Sequence, residues 1–409
     1  MKKSLLAVAA IGAFASAAQA QSSVTVYGIL DVGYIGGNTR VQDSAKGNAT
    51  GYNNGTTKTT VNQFGQGAEQ TNRLGFKGVE DLGGGTSAFF TAEFALAPQD
   101  QTLSGNKNGG LSNRQTFVGL KKNGIGQTAI GLQYTPIFNA GAVTDPGQYN
   151  NMTGNVIYAG STGISAANAG TNNVGFTNRT ANTLSVKSDN FAGFTGSAIY
   201  TLNNINSTET SSSILTTGGN LNASGWGLGA DFTYHKFYIT AAYQAFKQLT
   251  VANGDPTATA IWTNAQANGA TASNLASAQN VQDNQFYAGT TYDFGILKAY
   301  AQYVSRKATS TITTNYYLKR SAEQIGVRSY ITPTVEAWAS AGLGRYTSFG
   351  TNQPTANFNG WQLGSNYYLS KRTNLYAIYG QHLTSTAAAG STTTGGGTSN
   401  YAIGVRHTF

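Results

Sequence analysis

The chain has 409 residues, a formal net charge of +9, no cysteine, 52 glycines, 23 tyrosines and 19 phenylalanines, yet only 10% charged residues, against about 25% in an ordinary soluble domain. Without cysteine there is no disulfide framework, thiolate nucleophile or cysteine metal site, and three histidines at unrelated spacings leave little for a zinc enzyme. Beyond residue 20 the 23 lysines and arginines are dispersed rather than clustered with aromatic neighbours, which argues against a nucleic-acid surface.

Residues 1–20 read as a secretory signal peptide. Lys2 and Lys3 form its positive start, Leu5 to Phe14 its apolar stretch, and Ala18-Gln19-Ala20 its cleavage site. Removing 20 residues from 409 leaves 389, and losing the two lysines lowers the charge from +9 to +7. Beyond this point no window approaches the roughly 18 apolar residues that a membrane-crossing helix needs.

The signal that follows is alternation with period two. Val24 to Val32 opens it. In Arg73-Leu74-Gly75-Phe76-Lys77 the apolar side chains fall on one face and both cations on the other, a pattern that a helix would mix. Ala88 to Leu96, Phe286 to Tyr292, Ile325 to Arg328 and Tyr401 to Phe409 repeat it. Continued along the chain, this rhythm predicts sixteen strands beginning near residues 24, 72, 86, 113, 127, 179, 194, 224, 236, 284, 296, 319, 334, 358, 373 and 399. The connectors come in two sizes. Short ones are turn chemistry, such as Asp81-Leu82-Gly83-Gly84-Gly85, Lys122-Asn123-Gly124, His235-Lys236 and Thr332-Pro333. Long ones are polar and rich in Asn, Thr, Ser, Ala and Gly, over 36–70, 137–178, 203–223 and 248–281. All six prolines fall in connectors or at strand ends, as an unbroken ladder demands. Short and long connectors alternate, so one end is tight and the other elaborate. In lipid every backbone polar group must be paired, which makes a closed barrel the β-solution that spans a membrane. A secreted β-sandwich or β-helix is the soluble alternative, and the long, aromatic-ended strands count against it.

Several segments carry a family likeness. Val24-Thr25-Val26-Tyr27-Gly28 with Asp31, and Asn72-Arg73-Leu74-Gly75-Phe76-Lys77-Gly78-Val79-Glu80-Asp81-Leu82-Gly83-Gly84-Gly85, resemble the opening of the trimeric general porins of beta-proteobacterial outer membranes. Asn113 to Leu120 resembles the fourth strand of that family, and Gly404-Val405-Arg406-His407-Thr408-Phe409 the last. The resemblance implies sixteen antiparallel transmembrane strands, short periplasmic turns, long external loops and an inward-folded third loop, here 137–178. It further implies a homotrimer that lets small hydrophilic solutes and ions diffuse passively, with no enzyme activity and no cofactor. Outer-membrane lipid would surround it, and the terminal Phe409 would be the signal read by the barrel assembly machinery. Where the family shows Gly-Arg-Gln in the fifth strand, this chain has Gly131-Leu132-Gln133, one pore cation fewer.

If the apolar face of each strand meets lipid, the other face meets water, and strand phase turns Arg73, Lys77, Arg114, Arg179, Lys187, Lys298, Arg306, Arg328 and Arg406 inward, with Asp31, Glu93 and Glu336. Cations outnumber anions on that face, which points to an anion preference. Arg73, Arg114 and Arg179 are the constriction candidates because each begins a strand next to the second or third loop. Asp145 either forms the acidic pole opposite them or closes an Asx turn at Asp145-Pro146-Gly147, the latter favoured by its local chemistry. Aromatics near strand ends, among them Tyr27, Tyr134, Tyr292 and Tyr379, fit interfacial belts. A stacked aromatic track for sugars is the sharper alternative. Gly124 to Ala129 matches a dinucleotide pattern by letter, but it opens a strand rather than a helix and so reads as a turn. The remaining alternatives are a channel selective for a sugar or organic acid, an adhesin displayed on the loops, and a membrane-embedded hydrolase, for which His382 is the candidate base.

Overall fold

In the computed structural model the described residues are 23–43, 55–105, 110–158, 175–207, 219–248, 281–310, 317–349, 355–389 and 392–409. The proposed signal peptide and most of the long connector 248–281 lie outside them. The strands are β1 Ser23–Asp43, β2 Gly55–Gln66, β3 Arg73–Gly83, β4 Thr86–Ala95, β5 Asn113–Lys122, β6 Gly126–Tyr134, β7 Arg179–Ser188, β8 Phe194–Ser207, β9 Gly219–Tyr234, β10 Phe237–Gln248, β11 Val281–Asp293, β12 Lys298–Ser310, β13 Tyr317–Thr332, β14 Val335–Phe349, β15 Ala356–Tyr368, β16 Thr373–Ala389 and β17 Thr392–Thr408.

These stretches form a barrel of sixteen positions, because β2 and β3 share one. Ser23 to Ile29 of β1 pairs antiparallel with β3, and Val32 to Asp43 with β2. Residues 67–72 interrupt that position and fold inward, placing Glu69 at 5% exposure. The expected connector 36–70 is therefore largely strand. Every other neighbour pairing is antiparallel and sequential, and β17 closes on β1 from Ile29↔Thr408 to Val41↔Gly396. Gly124 lies in a turn and Gly126 opens β6, as the strand rhythm requires.

The two faces of the wall differ as the alternation demands. Val118, Leu120, Ile130, Val186, Leu228, Ile325, Leu343, Leu363 and Ile403 all point outward with at least half of their surface exposed. In water that belt would be an aggregating surface; against acyl chains it carries no such cost. The inward face buries Gln244, Gln285, Gln302, Gln324, Gln362, Asn366, Asn374 and Asn400.

At the seam the last residue seals the first strand. The Gly28 and Phe409 backbones exchange hydrogen bonds of 3.1 and 3.2 Å, and the Phe409 ring occupies the space a Cβ at position 28 would need. Gly28→Leu should therefore lower the folded fraction in a heat-shift refolding gel, and Phe409→Ala in the same chain should restore part of it. Equal yields for wild type and the single variant would show that the ring does not seat there.

Candidate functional site

Leaving β6, the chain turns into the lumen. Thr135 caps helix α1, Pro136–Thr144: its hydroxyl accepts from the Phe138 amide at 3.3 Å and donates to the Thr177 carbonyl at 2.8 Å. Pro136 sits at the first turn, where its missing N–H is no loss. The apolar face, with Ile137, Ala140 and Gly141, packs on β9 to β12, and Thr144 shares a hydrogen bond with the Tyr287 hydroxyl.

The helix ends at Asp145, and residues 146–158 run on along the inner wall. Amide side chains from the strands hold this segment. Gln362 donates to the carbonyls of Met152 and Thr153, both at 2.8 Å, and exchanges two hydrogen bonds with Asn150. Gln324 accepts from the Val156 amide, Asn400 from that of Thr153, and Gln285 from that of Thr177. Arg320 donates to the Val156 carbonyl, and Arg328 to that of Pro146 at 2.9 Å. Strand phase singled out Arg328 among these residues, and only the fold shows that they grip a loop. Gln362→Leu leaves two carbonyls and Asn150 without their partner and should cost about 3 kcal/mol. Thermal unfolding in detergent should show a lower transition and bilayer recordings a noisier open channel; an unchanged transition would mean that the contact is dispensable.

Between this inner segment and the wall lies a cavity of about 310 Å³ lined by Arg73, Arg114, Arg179, Tyr134, Phe138 and Tyr158, among others. Arg114 is buried; its Nε donates to Glu93 Oε1 at 2.8 Å and its Nη2 to the Tyr134 hydroxyl at 2.9 Å. Arg179 is 9% exposed, donates to the Arg114 carbonyl at 2.8 Å, and lies over the Tyr134 ring at 5.6 Å. Arg73 donates to the Thr71 carbonyl at 3.0 Å and to Gln70 Oε1 at 3.3 Å. Tyr134 stacks on Phe138 at 3.9 Å, and Tyr149 on Tyr158 at 4.1 Å. Burial holds the Tyr158 hydroxyl protonated, with a pKa pushed up to about 12, so it adds no negative charge at neutral pH. Among the described residues the charge around the cavity is three guanidiniums against the Glu93 carboxylate.

The family model described as Gram-negative porin matches residues 7–388. The chain belongs to the Gram-negative porin family. An outer membrane porin protein of Bordetella pertussis is 40% identical over 139 residues, 32% of this chain and 34% of that one. Outer membrane porin protein 32 of Delftia acidovorans is 36% identical over 138 residues, 33% of each chain. Major outer membrane protein P.IB of Neisseria gonorrhoeae is 33% identical over 202 residues, 49% of this chain and 48% of that one. The chain thus spans about a third to a half of the curated relatives it matches. Among solved structures, an anion-selective porin from Comamonas acidovorans superposes with a TM-score of 0.60 at 20% identity, over 95% of this chain and all of that one. The outer membrane is the setting these relatives share.

Within this porin the other candidate residues lie apart from the cavity. Lys77 is exposed, with Nζ over the Tyr27 ring at 5.4 Å, and Lys187 sits one residue from the end of β7 at the short-turn rim. Arg328 forms a two-pronged pair with Glu336 at 2.6 and 2.9 Å, and Arg406 donates to Asn374 at 2.9 Å with Glu69 at 3.4 Å. Asp145 does not face the arginine cluster. Its carboxylate accepts from the Tyr149 amide at 2.8 Å, Asn155 at 2.8 Å and Gln324 at 3.1 Å, so it ties the start of the inner segment together and to the wall rather than closing an Asx turn within Asp145-Pro146-Gly147. Burial pushes this carboxyl up, and its hydrogen bonds with the nearby Arg328 charge offset part of that. Leu132 lies at the β6–β7 irregularity between Gly131 and Gln133, leaving the cavity's cations to Arg73, Arg114 and Arg179. His382 faces the Phe358 ring at 5.6 Å.

Proposed function

We propose that this porin forms a water-filled, anion-preferring pore for passive diffusion of small hydrophilic solutes, narrowed by α1 and residues 145–158. The observation that carries this reading is the arginine cavity, where, among the described residues, Arg73, Arg114 and Arg179 have Glu93 as their carboxylate counter-charge. Fixed positive charge in a narrow aqueous path lowers the energy of a passing anion and raises that of a cation, and salt screens the effect. Lys77 and Lys187 line the lumen beyond the constriction and contribute through the wider field, whereas Arg328 and Arg406, paired with Glu336 and Glu69, add little net charge. Export with cleavage after Ala20 and assembly as a homotrimer complete the proposal; one solved structural neighbour, from Vibrio cholerae, bears the description "trimer form". Conductance of refolded mature protein closing in groups of three steps would support the trimer, and single equal steps from folded protein would contradict it.

A second reading is favoured by the stacked rings Tyr134–Phe138 beside the guanidiniums. A planar organic acid would find both an aromatic surface and cations there. On this reading benzoate should reduce the chloride current more than acetate at equal concentration, and equal effects would remove it.

A further inference from the structure

Residues 67–72, between β2 and β3, carry the chain from the wall toward the constriction, and β1 and β16 fix them there. One carboxylate oxygen of Asp31 accepts from the Glu69 and Gln70 amides at 2.8 and 2.6 Å, and the other from the Tyr376 hydroxyl at 2.6 Å. The backbone at Gln70 is therefore pinned, and its side chain projects from a fixed point. That side chain is partly exposed and makes two contacts. Its Oε1 accepts from Arg73 Nη2 at 3.3 Å, and its Nε2 donates to the Gln148 carbonyl at 2.9 Å. Gln70 and Gln148 both line the arginine cavity. One neutral amide thus links a pore cation to the segment that narrows the pore.

The far end of this link sits on unusual backbone. Gln148 and Tyr149 have φ of 52° and 55°, the left-handed region that residues other than glycine seldom adopt. Such a conformation persists where surrounding contacts over-determine it, and it gathers at functional sites. Here the Gln148 amide donates to the Asp145 carbonyl at 3.1 Å, the Tyr149 amide to the Asp145 carboxylate at 2.8 Å, and Gln70 takes the Gln148 carbonyl. The two segments also meet at a buried contact. There the Asn151 side chain donates to the Gly67 carbonyl at 2.6 Å and the Thr71 hydroxyl at 3.1 Å, and the Asn151 backbone N–H to the Ala68 carbonyl at 2.9 Å. These three bonds hold the segments together without Gln70, which leaves the exposed bridge to act on the pore rather than on the fold.

We propose that Gln70 determines the bore of the constriction. Its amide closes one side of the arginine cavity and keeps the Arg73 guanidinium beside it, so that an uncharged bridge sets the size limit while the arginines set the sign. This rests on the reading of the chain as an anion-preferring pore.

The test is planar-bilayer recording of refolded mature protein, wild type beside Gln70→Ala and Gln70→Glu, together with thermal transitions in detergent. Gln70→Ala should raise single-channel conductance about 1.5-fold, because the narrowest lining governs flow, and should let larger polyethylene glycols enter and depress the current. Gln70→Glu keeps an acceptor for Arg73 but cancels its charge and loses the donor to Gln148. Its anion-to-cation permeability ratio should fall about fivefold, the effect of one guanidinium lost. Both variants should unfold at the wild-type temperature, whereas Asn151→Ala, which removes the buried contact, should unfold at a lower one. Unchanged conductance and size limit in Gln70→Ala, or an unchanged ratio in Gln70→Glu, would overturn the proposal. So would a transition lowered by Gln70→Ala as far as by Asn151→Ala, because the bridge would then be a structural tie. A folded wild type that does not conduct would instead remove the pore reading, and this proposal with it.

Discussion

Replacing Arg73 and Arg179 by glutamine together is expected to bring the anion-to-cation permeability ratio close to one. Around the cavity three guanidiniums face one carboxylate, and the double variant leaves only the neutral Arg114–Glu93 pair, joined at 2.8 Å. At a separation of about 6 Å and an effective dielectric constant of about 50, each removed charge alters the energy of a passing anion by about 1 kcal/mol. Two charges make roughly a thirtyfold change in partitioning at low salt, and less as salt screens them. Arg114 is the wrong residue for this experiment, because its loss strands the buried Glu93 and would unsettle the wall before it reported on permeation. Reversal potentials of the double variant, measured across a KCl gradient at low ionic strength, check the expectation. A ratio unchanged from wild type would place the selectivity elsewhere along the pore.

Replacing Arg328 by methionine is expected to give the largest loss of stability. Arg328 and Glu336 are 7% and 4% exposed, their two-pronged contact spans 2.6 and 2.9 Å, and the same guanidinium donates to the Pro146 carbonyl. Asn366 and Tyr368 also donate to Glu336, at 3.3 and 2.8 Å. Removing the cation leaves a buried carboxylate without its counter-charge, which costs about 3 to 5 kcal/mol. It also frees the inner segment at Pro146, so the thermal transition should fall and open-channel current should fluctuate more. Arg328→Met combined with Glu336→Leu should recover much of the transition temperature while the current stays noisy, because the Pro146 tether remains absent. Recovery of a quiet current in the double variant would show that the tether plays no part in holding the loop.

Period-two alternation gave strand starts within a few residues nearly everywhere, because the bilayer imposes one apolar face and a closed ladder. β2 escaped notice for the same reason. With Val61 and Phe64 among threonines, glycines and a lysine, it pairs with the long extension of β1 beyond the apolar belt and carries little apolar face. Strand phase also marked Arg73, Arg114 and Arg179, since a cation on the lumen side at a strand start is visible in the letters. That they meet around one cavity depends on where α1 folds, and α1 is a nine-residue helix with a weakly patterned face inside a connector of small and polar residues. The wall glutamines carried no such mark in the letters, and their clamping is not legible because their partners are loop backbone groups 108 to 210 residues away in sequence. Asp145 was legible as a turn residue but not as a tie: its carboxylate accepts from Tyr149 and Asn155 of the inner segment and from Gln324 of the wall, a partner 179 residues away.

The measurement that tests the account most directly is the reversal potential of refolded, mature wild-type protein in a planar bilayer with a KCl gradient. The account predicts stepwise conductance and a reversal potential displaced toward that of chloride, with the displacement shrinking as salt rises. A displacement toward potassium, or no conductance from protein shown to be folded and inserted, would contradict it.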